Sequence, residues 1–212
     1  MKLARGAVRR TPGSKSIVSR ADAMALMIIS AVAAVATTAM TVSGIAAYFT
    51  GPVTLTLPLT TTRPAPTDLH LGAQAHFTSV ETAIPALPTG EAALLAWSGA
   101  LNQLSALAVM ALLFLLAFRL RGENLFTAGS ASVVGSCGAV LALAGSAGQV
   151  LDQVARGRLA EAIRVNARAA GESVTFMGSL NFAPVVAGFV LILVAGVFQF
   201  GGRLQKDTEG LV

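Results

Sequence analysis

Long uncharged stretches of apolar residues alternate along the chain with short polar segments. The first uncharged run is Ala23 to Thr62. Its helical part is expected over 23–49, because Gly51 and Pro52 stop it. The second run, 92–118, lies between Glu91 and Arg119. The third, 126–151, lies between Glu123 and Asp152, and the fourth, 181–202, ends ahead of Arg203. A bilayer core takes about 20 apolar residues, and a soluble helix rarely runs that far without a charge. All four segments are long enough, and the first two are long enough to tilt or emerge. The pattern predicts an all-α membrane protein, a four-transmembrane-helix bundle. A basic tail, 1–22, would precede the membrane domain, 23–202, and a tail, 203–212, would follow it.

The loops between the spans differ. In the first, 51–91, Val53, Leu55, Leu57 and Leu59 alternate with Thr54, Thr56, Pro58 and Thr60, a strand pattern of period two. Pro58 points to an edge strand or a strand end. After the Pro- and Thr-rich segment 61–68, a second alternation runs from Leu69 through Leu71, Ala73 and Ala75 to Phe77. Together they predict a small extracytoplasmic β-hairpin between helices 1 and 2, packed on the helix ends. From Leu151 into the second loop, 152–180, Val154, Leu159, Ala162, Ile163 and Asn166 follow at roughly helical spacing, accompanied by Arg156, Arg164 and Arg168. That is compatible with an extension of the third span, a helix on the membrane surface, or a solvated segment.

Charge then fixes an orientation. Ten of the 15 Lys and Arg fall in the N-terminal tail, the link after the second helix and the C-terminal tail; five fall in the other loops. Basic residues accumulate on the cytoplasmic side, so both termini are expected in the cytoplasm, in the cytoplasmic (inner) membrane of a cell. The first span, with its basic start, is nearly twice the length of a signal peptide's apolar region of about 7–15 residues, which predicts an uncleaved helix. The pI near 10.4 would otherwise suggest nucleic acid, but basic charge beside a membrane helix is explained by orientation and by contact with anionic lipid. No nucleic-acid partner is expected.

Helix contacts are legible in the small residues. In the third span Ala131, Gly135 and Ala139 sit four apart, and so do Gly138, Ala142 and Ser146. Each set lies on one face and lets another backbone approach closely, inside the bundle or between copies. In the second span Asn102 and Gln103 are polar at membrane depth and favour a partner helix over lipid. As adjacent residues they point in different directions around the helix.

Candidate chemistry is sparse. One cysteine, Cys137, excludes an internal disulfide and a cysteine-built zinc site. His70 and His76 share a strand face and, with Asp68 or Glu81, would be the material for an external metal site. No HExxH motif or close ligand cluster accompanies them, and surface-exposed strand residues are the plainer reading. No glycine-rich phosphate loop follows a strand, and no Asp, Glu, Lys, Arg or His lies inside a span. No catalytic residue, metal or cofactor is expected.

Two stretches carry a resemblance. The link reads Arg119-Leu120-Arg121-Gly122-Glu123-Asn124-Leu125-Phe126-Thr127, and the chain ends Gly201-Gly202-Arg203-Leu204-Gln205-Lys206-Asp207-Thr208-Glu209-Gly210-Leu211-Val212. With Gly51-Pro52-Val53-Thr54-Leu55, these resemble the bacterial membrane family catalogued as domain of unknown function 2975. The resemblance implies the four-helix layout over nearly the whole chain from Ala23 onward. It marks Arg121, Gly122, Glu123, Phe126 and Thr127 as a cytoplasmic motif. Unlike family members with basic charges after the Phe-Thr pair, this chain carries none over Ala128–Gly138. The family has no established activity, but some members are encoded beside helix-turn-helix regulators, which implies a membrane-tethered regulatory role. Gly122 as a turn and Thr127 as a helix cap are the architectural alternative. The resulting expectation is a non-enzymatic regulatory, sensing or partner-binding membrane component. Its partners would be the lipid bilayer and either a second copy or a membrane or cytoplasmic protein. The alternative is a small transporter or channel subunit, with Ser98, Asn102, Gln103 and Gln149 as its polar path.

Overall fold

A computed structural model of the chain describes residues 20–61, 78–120, 128–163, 174–176 and 178–209. In chain order the elements are α1 (Arg20–Thr50), β1 (Val53–Thr61), β2 (Ser79–Ile84), α2 (Thr89–Leu120), α3 (Ala128–Ala162), β3 (Val174–Phe176) and α4 (Ala183–Glu209). All four helices are long and apolar enough to cross a membrane. Ile28, Ile29, Val32 and Val35 of α1, and Phe189, Leu193, Val197 and Phe200 of α4, are all at least 60% exposed. A soluble monomer rarely leaves so much contiguous apolar surface in water. Lipid is the solvent that such a surface fits, and the protein is a multi-pass membrane protein.

Each helix packs on its neighbour in sequence: α1 on α2, α2 on α3 and α3 on α4. The contacts run antiparallel. Thr41 meets Gln103 and Ile45 meets Gly99; Ser105 meets Gly145; Gly145 meets Pro184 and Gly135 meets Ala195. The start of α1, the end of α2, the start of α3 and the end of α4 therefore share one end of the assembly. Near it, the Arg119 guanidinium donates to the Ser130 hydroxyl. Leu112, Val134 and Ala195 form a buried cluster between α2, α3 and α4, flanked by Leu191 and Phe198.

The sheet caps the opposite end. β1 and β2 form an antiparallel hairpin between α1 and α2, with Val53 opposite Ile84 and Leu57 opposite Val80. Val53, Leu55 and Leu57 turn inward and are at most 8% exposed, whereas Thr54 and Thr56 face out. That is the alternation a half-buried strand requires. The inward face rests on Leu95 of α2 and on Ala155 and Leu159 of α3.

Several sequence expectations change here. The second strand of the hairpin is β2 at 79–84; the alternation over 69–77 lies outside the described residues. β1 is central rather than an edge, because β3 pairs with its far end, Leu59 opposite Phe176. Pro58 sits where the partner changes from β2 to β3, a place where a missing N–H costs the ladder little. α3 does not stop near Leu151 but continues to Ala162, 35 residues or about 52 Å in all. The extension is held because Ala155, Leu159 and Ala160 are buried, the first two under the sheet. α4 continues past Gly202 to Glu209, carried by helix-forming residues such as Leu204, Gln205 and Lys206.

Candidate functional site

The adjacent amides of α2 serve two different interfaces. Gln103 faces α1. Its Nε2 donates to the hydroxyls of Thr37 at 3.2 Å and Thr38 at 2.8 Å, and its Oε1 accepts from Thr41 at 3.0 Å. Asn102 lies about 100° further round the helix, against α3. A Cβ built on Gly148 would lie 2.8 Å from its Oδ1. Glycine at 148 is what lets the Asn102 amide and the Ser98 carbonyl come so close to α3. Gln103 thus has a full set of partners, whereas the Asn102 amide makes no hydrogen bond among the described residues.

Beside these amides a cleft of about 400 Å³ lies between α1 and α2, lined by Met40, Thr41, Gly44, Ile45, Tyr48, Gly99, Asn102 and Gln103. The lining carries no charge. Gly44 leaves space, since a Cβ there would meet nothing within 4 Å. Gly99 permits close packing, with Ile45 at 3.5 Å from its built Cβ.

The small residues of α3 mark the tightest contact. A Cβ on Gly138 would lie 2.7 Å from the Gly188 carbonyl oxygen, and a Cβ on Gly188 would lie 2.7 Å from the Ala142 Cβ. The two helices cross with backbones nearly touching, as small residues at a membrane helix interface allow. Of the residues singled out in the sequence, Gly138 and Ala142 meet α4 at this crossing and Gly135 meets Ala195. Ala131 is fully buried. Ser146 donates to the Ala142 carbonyl of its own helix at 2.6 Å. Arg121, Gly122, Glu123, Phe126 and Thr127 lie outside the described residues, as do His70, His76 and Asp68; Glu81 is exposed on β2.

Other polar groups of the spans are also satisfied locally. Ser30 and Ser105 donate to the carbonyls four residues back, the back-bonding that lets hydroxyls sit in lipid. Gln149 Oε1 accepts from the Asn181 backbone N–H at 2.8 Å, and the Asn181 side chain accepts from Ala183 N–H at 2.9 Å. Asn181 is therefore the cap of α4, with Pro184 in the first turn, where no N–H is needed. Nearer the sheet, Arg156 bridges α3 and β1. It pairs with Asp152 at 2.7 Å and donates to the Thr56 carbonyl at 2.9 Å. Among the described residues no three His, Cys, Asp or Glu side chains group as a metal site would need.

Reading the sequence identified the two amides but not their partners. Thr37 and Thr41, four apart on α1, were the available signal. Gly188, Gly44 and Tyr48 carried none that separates them from other apolar-helix residues. No protein-family model, curated protein or solved structure matches this chain.

Proposed function

We propose that this chain is a non-enzymatic component of the cytoplasmic membrane, with both termini in the cytoplasm and the sheet outside. It would hold or regulate a partner. The observation that carries this is the internal commitment of its polar groups. Gln103, Gln149, Ser30 and Ser105 all bond within the fold, so the spans read as a scaffold. The scaffold carries a sheet clamped by Arg156 at one end, and at the other the helix ends that flank the link. The excess of Lys and Arg at the link end supports the orientation. The resemblance of the 119–127 link and the C-terminal segment to domain of unknown function 2975 supports a regulatory use of the inner end. The partner would be a second copy or a membrane or cytoplasmic protein.

Native mass spectrometry of protein released from its own membrane in mild detergent tests this. A stoichiometric complex is expected, either with a second copy or with one other protein. Repeated recovery of monomer alone under mild conditions would overturn it.

A second reading, a small transporter or channel subunit, has one observation in its favour: Asn102, polar and unbonded, opens into the cleft. Proteoliposome flux that falls on Asn102→Leu would support it. Absent flux, or flux indifferent to the substitution, would remove it.

A further inference from the structure

The Asn102 amide presents a physical problem that the fold leaves open. It lies 11 residues from Glu91 and 17 from Arg119, about 16 Å and 26 Å along the helix. That is well inside the hydrocarbon region. A primary amide there offers two donors and an acceptor, and lipid tails satisfy none of them. The Tyr48 hydroxyl on the same cleft likewise makes no hydrogen bond among the described residues, and it is only partly buried.

We propose that the α1–α2 cleft is a lateral binding site for an uncharged, membrane-dissolved lipid whose hydroxyl or carbonyl head hydrogen-bonds Asn102. Three features favour this occupant. The cleft volume, about 400 Å³, falls in the range of small-molecule sites. No acidic or basic side chain lines it, and a charge at this depth would be expensive to hold without a partner of opposite sign, which rejects phospholipid headgroups. The cleft itself is a hollow in the α1–α2 face. A second copy related by a twofold axis would oppose hollow to hollow and leave the amides apart, since such an interface must be self-complementary. The apolar flank of Met40 and Ile45 suits acyl chains, and the head would be held by Asn102 with Tyr48 in reach of the same cleft. A diacylglycerol has such a head: one hydroxyl donor, two ester carbonyl acceptors and no charge.

The test uses the full chain in vesicles of neutral and anionic phospholipid. The probes are a diazirine-bearing diacylglycerol and a phosphatidylglycerol with the same diazirine chain. Photolabelling by the diacylglycerol is expected to concentrate on peptides containing 40–48 and 99–103 and to exceed that by the anionic probe. Asn102→Leu should reduce it by about threefold to tenfold, the loss of one or two membrane hydrogen bonds. Gly44→Leu, which fills the cleft but leaves the amide in place, should abolish it. Ala47→Leu, on the exposed surface of α1 at similar depth, should leave it unchanged. Equal labelling by both probes, or labelling that survives Gly44→Leu, would overturn the proposal. So would an Asn102→Cys variant that forms disulfide-linked dimers in the membrane in a Cys137→Ser background, because a second copy would then occupy the cleft.

Discussion

Replacing Gln103 with leucine removes the amide that ties α2 to α1 at Thr37, Thr38 and Thr41. Hydrogen bonds between membrane helices average about 0.6 kcal/mol, so three amount to about 2 kcal/mol. The cost should not grow beyond that by orphaning the threonines. Thr37 and Thr38 already donate to the Ala34 carbonyl, at 3.2 and 2.7 Å, and keep those bonds without Gln103. Thr41 loses its acceptor but can turn to the carbonyl four residues back, as hydroxyls in helices commonly do. Leucine also fills comparable volume and is at home against lipid. Reversible unfolding in mixed SDS micelles, read by pulse proteolysis, should therefore show a loss of about 2 kcal/mol. A double-mutant cycle with Thr38→Val, the residue at the shortest of the three contacts, isolates one bond and should return a coupling of about 0.6 to 1 kcal/mol. Zero coupling would refute the reasoning. So would a single-mutant loss above about 4 kcal/mol, which would mean that leucine disrupts packing rather than deletes hydrogen bonds.

Three further outcomes follow from the contacts. Gly188→Ala places a methyl against the Gly138 carbonyl and Ala142 and should destabilise by about 1–3 kcal/mol. Gly196→Ala on the same helix meets nothing and should be neutral or stabilising by up to about 1 kcal/mol; the same unfolding assay compares them. Arg156→Met removes a half-exposed ion pair and a charge-assisted bond to the Thr56 carbonyl. It should cost about 1–2 kcal/mol, seen as faster amide exchange in β1, with Asp152→Asn costing less. Asn181→Ala removes the cap of α4 and should lower stability by about 1 kcal/mol, read as a fall in the detergent-solubilised Tm.

The spans were legible because lipid imposes a demand that length and charge alone can meet. Their limits shifted by a few residues where local sequence was permissive, as at α4, where Gly201 and Gly202 did not stop the helix. The continuation of α3 was ambiguous for a different reason. Ala155, Leu159 and Ala160 are buried, and what covers Ala155 and Leu159 is a sheet distant in sequence, which periodicity along α3 cannot reveal. β2 escaped because Ser79–Ile84 carries Glu81 and keeps most of its side chains exposed, so its alternation is weak. β3, at three residues, is too short to leave a pattern and exists through its pairing with β1. At the candidate site, the different directions of Asn102 and Gln103 followed from helix geometry. That Gln103 finds three threonines and Asn102 none depends on how α1 lies across α2, which one sequence does not specify.

Single cysteines labelled in intact cells with a membrane-impermeant maleimide, in a Cys137→Ser background, test the membrane arrangement most directly. Thr54→Cys, exposed on β1, should label from outside, and a cysteine added after Val212 should label only once the membrane is opened. The reverse pattern, or equal labelling of both sites in sealed cells, would contradict four crossings with both termini inside.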